Sequence, residues 1–347
     1  MRLKKVIFTL VIASLFNFQL MAEHPVDAHA KGETHHEETE YNLEKDKKET
    51  IAHHLADDHS FTITHGVSFP LPIILYTEGS FDIFMSSKFD GEHHTKVPYT
   101  INGRTYTLDH GHITEASGLH PLDLSITKNV FLTIIMSIFL IIAFSSLARS
   151  YKRNAIPTGF GRLLEPLVLF IRDEIARPNI GEKHYKRYMS YLLTVFFFIW
   201  FMNLAGMTPL GVNVTGNIAV TFSLAILTFV ITNVTANKEY WGHIFWMPGV
   251  PVAMKFILAP IELLGVFVKP FVLMIRLYAN IMAGHIVLMS LIGVMYVFAN
   301  YFAKGAFFGL TLFLMFIELL VAFLQAYIFT MLTALYFGAA VAEHDDH

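Results

Sequence analysis

The sequence has no cysteine in 347 residues. Disulfides, thiol nucleophiles and Cys-based zinc or iron–sulfur sites are therefore excluded, while the redox compartment stays open. Charge is also scarce. Asp, Glu, Lys and Arg make up 15% of the chain, against about 25% in an average soluble protein. A net charge of −3 leaves no basic surplus for nucleic acid. What is abundant is apolar: 54% of residues are hydrophobic, 32 are Phe, and the mean hydropathy is +0.49. A disordered chain, a coiled coil and an ordinary cytosolic enzyme are all excluded. A membrane protein is the default.

The chain divides by composition. Arg2, Lys4 and Lys5 precede an apolar run over 6–20, with the small Ala22 after it. This predicts a signal peptide over 1–22, the alternative being a short anchor helix. Residues 23–60 are dense in Glu, Asp, Lys and His and lack the apolar content for a core, which predicts a mobile segment. Residues 61–125 carry short β-type runs, with Asn102 and Gly103 between two alternating stretches as a hairpin signal. A small β-rich module outside the membrane is expected there.

Five apolar spans follow, at about 129–147, 189–206, 217–235, 252–300 and 305–337, within a membrane domain over 129–340. The last two exceed the ~20 residues of a perpendicular span, so a long tilted hairpin is expected. Nine basic residues, Arg149, Lys152, Arg153, Arg162, Arg172, Arg177, Lys183, Lys186 and Arg187, fill the loop after the first span and mark the inner side. Within that loop, residues 162–176 mix apolar and charged positions in the manner of an amphipathic helix on the inner surface. The fold class is thus an all-α membrane protein with five transmembrane helices, one inner-surface helix and a β-rich N-terminal module. The N-terminus lies outside and the C-terminus inside.

Charges in hydrocarbon are costly and each needs a reason. Glu262, Lys269 and Arg276 stand seven apart and Asn280 four further on, one stripe on the fourth span. Glu318 and Gln325, also seven apart, form a second stripe on the fifth. One hairpin register sets Arg276 level with Gln325 and His285 level with Glu318. His285, nine residues from Arg276, points to another side of its helix, which argues against one continuous tunnel past both pairs. A buried Arg needs a carboxylate. None shares the depth of Arg276, so the anion is expected from another subunit. His285 with Glu318 suits a proton relay; a purely structural hydrogen-bonded pair is the plainer alternative, as it is for Gln325.

The stretch 269–285, KPFVLMIRLYANIMAGH, closely resembles subunit a of the rotary F-type ATP synthases. So do 324–336, LQAYIFTMLTALY, and 201–209, FMNLAGMTP. The resemblance covers about 140–340. It implies that Arg276 takes the place of the essential arginine facing the carboxylates of the c-subunit ring, with Asn280 and Gln325 as polar neighbours. His285 and Glu318 match the pair of the outer half-channel, with the His and carboxylate exchanged relative to many bacterial members. Glu262 matches an acidic position on the inner side. The implied function is that of a proton-translocating stator subunit with two half-channels, coupling ion flow to ring rotation. It is not an enzyme by itself and carries no cofactor. The implied partners are the c-ring, the subunit b peripheral stalk, the rest of the complex and the lipid bilayer, and the implied location is a bacterial inner membrane.

The N-terminal ~120 residues depart from that family's usual pattern. Thirteen of the 18 His lie from His24 to His120. His35 and His36, His53 and His54, and His93 and His94 are adjacent pairs that suit weak metal binding or a solvated tail. A His-rich metal-ion transporter is the alternative function. It would need metal-ligand pairs inside the spans, and His285 is the only fully intramembrane His expected. A membrane-embedded hydrolase lacks an HExxH motif or a Ser/Lys pair at one depth.

Overall fold

The structure is a computed structural model, and it describes residues 57–64, 67–90, 97–109, 111–119, 121–153, 160–208, 214–247, 249–297 and 301–342. The expected signal peptide, nearly all of the expected mobile segment and the three His pairs lie outside the described residues.

The N-terminal part is β-rich. Strands β1 (Ser60–Thr64) and β2 (Val67–Pro70) pair antiparallel. β3 (Pro72–Thr77) and β4 (Ser80–Met85) form a hairpin whose two-residue turn, Glu78 and Gly79, has positive φ at both positions. β5 (Tyr99–Ile101), β6 (Arg104–Asp109) and β7 (His112–Glu115) make a meander. Its first turn is the expected Asn102–Gly103, with φ of 50° and 81°, as a tight hairpin turn with right-handed strand twist requires. Side chains alternate across β3 and β4, so Ile73, Leu75 and Phe84 join Phe89, Tyr106 and Ile113 in a small core.

That module runs directly into the first span. β8 (Leu122–Asp123) pairs with β3, and Ile126 N–H donates to Pro72 O at 3.1 Å. Helix α1 (Lys128–Arg153) begins at once, its first turn held from 72 residues upstream: Asn129 N–H donates to the Asp57 carboxylate at 3.3 Å. A carboxylate there satisfies an otherwise orphaned helix donor and opposes the helix dipole. His59, buried and bonded to Asp123 at 3.1 Å, closes the joint. Asp57, Asp58 and His59, assigned by composition to the mobile segment, thus belong to this junction.

Among the described residues five helices are long and apolar enough to cross a membrane: α1, α4 (Tyr185–Gly206), α5 (Ile218–Thr235), α7 (Val252–Val297) and α8 (Tyr301–Val341). Between them lie α2 (Phe160–Phe170), a π-helical segment (Ile171–Ala176), the single turn α3 (Arg177–Ile180) and the short α6 (Lys238–Phe245). Three helices overrun their expected spans, to Arg153, from Tyr185, and over Tyr301–Val341. Hydropathy ends where charge begins, whereas Lys, Arg and Tyr extend a helix readily into solvent. The π segment corrects the sequence reading, which expected one helix over 162–176, and α6 lies between the expected third and fourth spans. In the π segment Arg172 and Arg177 both bond Asp173, while Ile171, Ile175 and Ala176 turn inward.

Helix α4 is the centre of the bundle, lined by α1 on one side and α8 on another. Tyr188 stacks on Phe337 with ring centroids 4.4 Å apart, and Phe144 meets Phe197 edge-on. α7 packs along α5 and α8 but keeps an exposed apolar face that includes Phe271 and Ile275. The N-terminus of α5 is capped by Asn217, whose side chain accepts from Ala219 N–H at 2.9 Å.

Candidate functional site

Three polar regions interrupt the apolar bundle. The largest is a cavity of about 260 Å³ between α4, α7 and α8. Asn203, Asn280, Gly284, His285 and Glu318 line it among apolar neighbours. His285 is buried, 7% exposed. Glu318 reaches across to α7: a Cβ added at Gly284 would lie 2.9 Å from its Oε1. A side chain at 284 would require the Glu318 carboxylate to shift away from the helix. The other oxygen, Oε2, is buried with no hydrogen-bond partner among the described residues. A buried carboxylate left this way needs a proton or a water to satisfy it.

Asn203 sets one wall of this cavity. Its Oδ1 accepts from Thr215 Oγ1 at 2.6 Å and its Nδ2 donates to Ala322 O at 3.4 Å. The amide is therefore held by α8 on one side and by the 3-10 turn Val214–Gly216 on the other. The sequence contains a signal for it, an amide in an apolar span, but Asn203 was read there only as part of a motif.

The second region is the outer face of α7. Arg276 and Asn280 are exposed on it, and among the described residues no carboxylate pairs with Arg276. Gln325, on α8, is 5% exposed. Arg276 and His285 thus differ sharply in burial, as nine residues of helix require. Asn280 departs from the expected grouping: it lies on the stripe of Arg276, yet it also lines the His285 cavity. One amide therefore borders both regions.

The third region lies where the C-terminal parts of α5 and α8 meet the N-terminal half of α7. Lys269 Nζ stands 5.5 Å above the Tyr336 ring. Both line a cavity of about 10 Å³, room for one water, together with Asn233 and Tyr240. Glu262, half-buried, acts electrostatically on both Lys269 and Tyr240. Burial first, and then the Glu262 charge, push the Tyr240 hydroxyl above its ordinary range. Tyr240 and Tyr336 were not legible as site residues, because a Tyr in an apolar segment is indistinguishable from packing.

Among the described residues no group of three or more His, Cys, Asp or Glu is arranged to hold a metal ion. The geometry offers sites for protons and waters at two depths, with a cation on the surface between.

Comparison with known proteins gives two matches along the chain. Residues 130–338 match the family described as ATP synthase A chain, and residues 50–129 match a domain of unknown function. Similar curated proteins include the ATP synthase subunit a of Chloroherpeton thalassium, 40% identical over 266 residues, covering 75% of this chain and 78% of that one. The subunit a of Myxococcus xanthus is 44% identical over 237 residues, covering 65% of this chain and 77% of that one. The subunit a of Pelodictyon phaeoclathratiforme is 42% identical over 247 residues, covering 68% and 72%.

Proposed function

The chain belongs to the ATP synthase A chain family, and from that premise we propose how its polar regions move protons. As a member it is a multi-pass, proton-translocating subunit of the membrane sector, non-catalytic by itself and part of a larger complex. The metal-ion transporter reading is not favoured.

In our reading the cavity of His285 and Glu318 is the outer half-channel. A proton enters from outside, is exchanged between imidazole and carboxylate, and passes to a carboxylate of the c-subunit ring. The ring turns through lipid, and the proton leaves past Glu262 and Lys269 to the inside. Arg276 stands between the two regions. A fixed cation favours the ionised form of a passing carboxylate, which releases the proton and denies it a direct route between half-channels. The observation that carries this is Arg276 itself: a guanidinium exposed among apolar Phe271, Val272 and Ile275, with no carboxylate beside it among the described residues. Such a charge is sustainable in a membrane only if a partner subunit brings the anion.

The rest of the reading follows from charge and length. Helices α7 and α8 form the tilted hairpin beside the ring. Helix α2 with its π segment lies on the inner surface, where the subunit b stalk would meet the basic loop. The β-rich module over 61–125 is periplasmic, reached after a signal peptide over 1–22, and the C-terminus is cytoplasmic at a bacterial inner membrane. Asn280 and Gln325 orient water and carboxylate around Arg276.

The test is ATP-driven proton pumping by the whole complex in inverted vesicles. Arg276→Ala is expected to reduce pumping to background with assembly and soluble-sector ATPase intact. Pumping at the normal rate would make Arg276 structural and end this mechanism.

A further inference from the structure

The charge stripe on α7 does not end at Glu262. Seven residues closer to the inner side stands Lys255, so that Lys255, Glu262, Lys269 and Arg276 are evenly spaced at seven along one helix. At 100° per residue this spacing keeps them near one face, about 10 Å apart. The sequence alone presents Lys255 as an ordinary basic residue flanking an inner loop. In the structure it is half-buried, and its Nζ stands 4.5 Å above the Trp246 ring. That is within the ~6 Å at which a cation is held by an aromatic face. Lys269 is held in the same manner over Tyr336. Glu262 therefore lies between two lysines, each fixed by an aromatic ring.

The loop that supplies Trp246 is itself fixed. Helix α6 packs on α7. At its start Asn237 N–H donates to Ala340 O at 2.8 Å and its amide donates to Val341 O at 3.2 Å. At its end Trp246 N–H donates to Gly242 O at 2.7 Å. A lysine on a free surface would sample many rotamers and have its charge averaged away. This one is placed.

We propose that Lys255 is a positioning residue of the inner ion path: held over Trp246 two helical turns inward of Glu262, it sets the electrostatic potential at the mouth through which Glu262 exchanges protons. The inference rests on the reading of Glu262 as the inner exchange site. Among the described residues Glu262 acts on Tyr240 of α6 and on Lys269 of α7; α6 also carries Lys238, Glu239 and His243, and Tyr336 of α8 and the neutral Asn233 of α5 border Lys269. A positive charge fixed at the mouth of a path raises the potential there and lowers the local proton concentration.

The experiment is ATP-driven pumping by the whole complex in inverted vesicles, whose inner face meets the medium, measured against medium pH. Lys255→Gln is expected to extend pumping to higher pH, moving the alkaline limb by roughly 0.3 to 1 unit, as the loss of one unit charge at ~10 Å predicts. The shift should shrink in high salt, which screens charges at that distance. Lys255→Arg should retain the natural profile. Trp246→Leu, which frees the lysine without removing it, should give a smaller shift in the same direction and serves as the test if Lys255→Gln fails to assemble. A merely structural lysine would change the amount of complex and not the pH profile. Natural profiles for Lys255→Gln and Trp246→Leu, beside an altered one for Glu262→Gln, would overturn this proposal and leave the inner-path reading standing. A natural profile for Glu262→Gln as well would overturn that reading.

Discussion

At the scale of single residues, the site depends on where a side chain is missing as much as on where one is present. Gly284 has no Cβ, and the Glu318 carboxylate lies against the space one would occupy. Gly284→Ala would keep every titratable residue but set a Cβ 2.9 Å from the present position of Oε1, so the Glu318 side chain must shift. Misplacement of a reacting group by about 1 Å costs up to 100-fold. Pumping by the assembled complex is expected to fall between about 10- and 100-fold, with normal amounts of the chain in the membrane. Normal pumping by the alanine variant would mean that the Glu318 carboxylate need not touch α7.

At the scale of elements, two joints hold the polar regions in register. One is the crossing of α3 on α8. A Cβ at Gly338 would run into the backbone carbonyl of Asn179, which no rotamer change can relieve. Gly338→Ala must therefore part the two helices, and overpacking of this sort costs typically 1–3 kcal/mol. The expected outcome is a lower temperature for thermal loss of coupled pumping, larger than for Gly265→Ala, where an added Cβ meets nothing. The other joint is the β-rich module. Burial works against the Asp82 carboxylate, but hydrogen bonds from Asn102, Tyr106 and Arg104 outweigh it and hold its pKa below the usual value. Asp123 is lowered likewise, burial being outweighed by His59 and Ser125. For carboxylates depressed in the folded state, the stabilisation is complete above the unfolded pKa of about 3.9 and is lost as pH falls through the folded value. Hydrogen exchange in the β3, β4 and β6 amides of the intact complex should therefore stay slow at pH 5–7 and accelerate below about pH 4. That dependence is read as protection relative to the intrinsic, base-catalysed exchange rate at each pH; Asp82→Asn should abolish most of it, and protection that does not change with pH in the natural chain would mean that the network is not what stabilises the module.

At the scale of the whole molecule, the chain is incomplete by construction. Helix α4 is wrapped on several sides, while α7 and α8 leave long apolar faces uncovered, with Arg276 among them. An exposed apolar surface of that extent marks a lipid or protein interface, and on the mechanism proposed above the cation marks the part that meets a carboxylate partner. The Cys-free background makes this testable. With Ile275→Cys, one turn position from Arg276, and a cysteine beside the ring carboxylate, an intersubunit disulfide is expected under mild oxidation. Cross-linking only from the opposite, α5-facing side of α7, for example at Val266, would mean that the ring lies elsewhere.

By itself the sequence determined the class of the protein, the number of spans, the Asn102–Gly103 hairpin and the residues to be explained. Each of these is a local property: apolar length counts spans, a turn dipeptide forces two positive φ values, and an ionisable group in hydrocarbon stands out against its neighbours. The seven-residue stripe of Glu262, Lys269 and Arg276 was legible for the same reason, since helical period is written along one element. What tertiary structure decided lies between elements. Asn203 becomes a cavity wall only because Thr215 and Ala322 hold its amide. Asn280 joins the His285 cavity because of how α7 is rotated against α8. Asp57 caps α1 across 72 residues of chain, and Trp246 seats Lys255 because α6 folds back on α7. Contacts of this kind depend on the packing angle and register of helices that all carry similar apolar surfaces, and composition does not distinguish one such face from another.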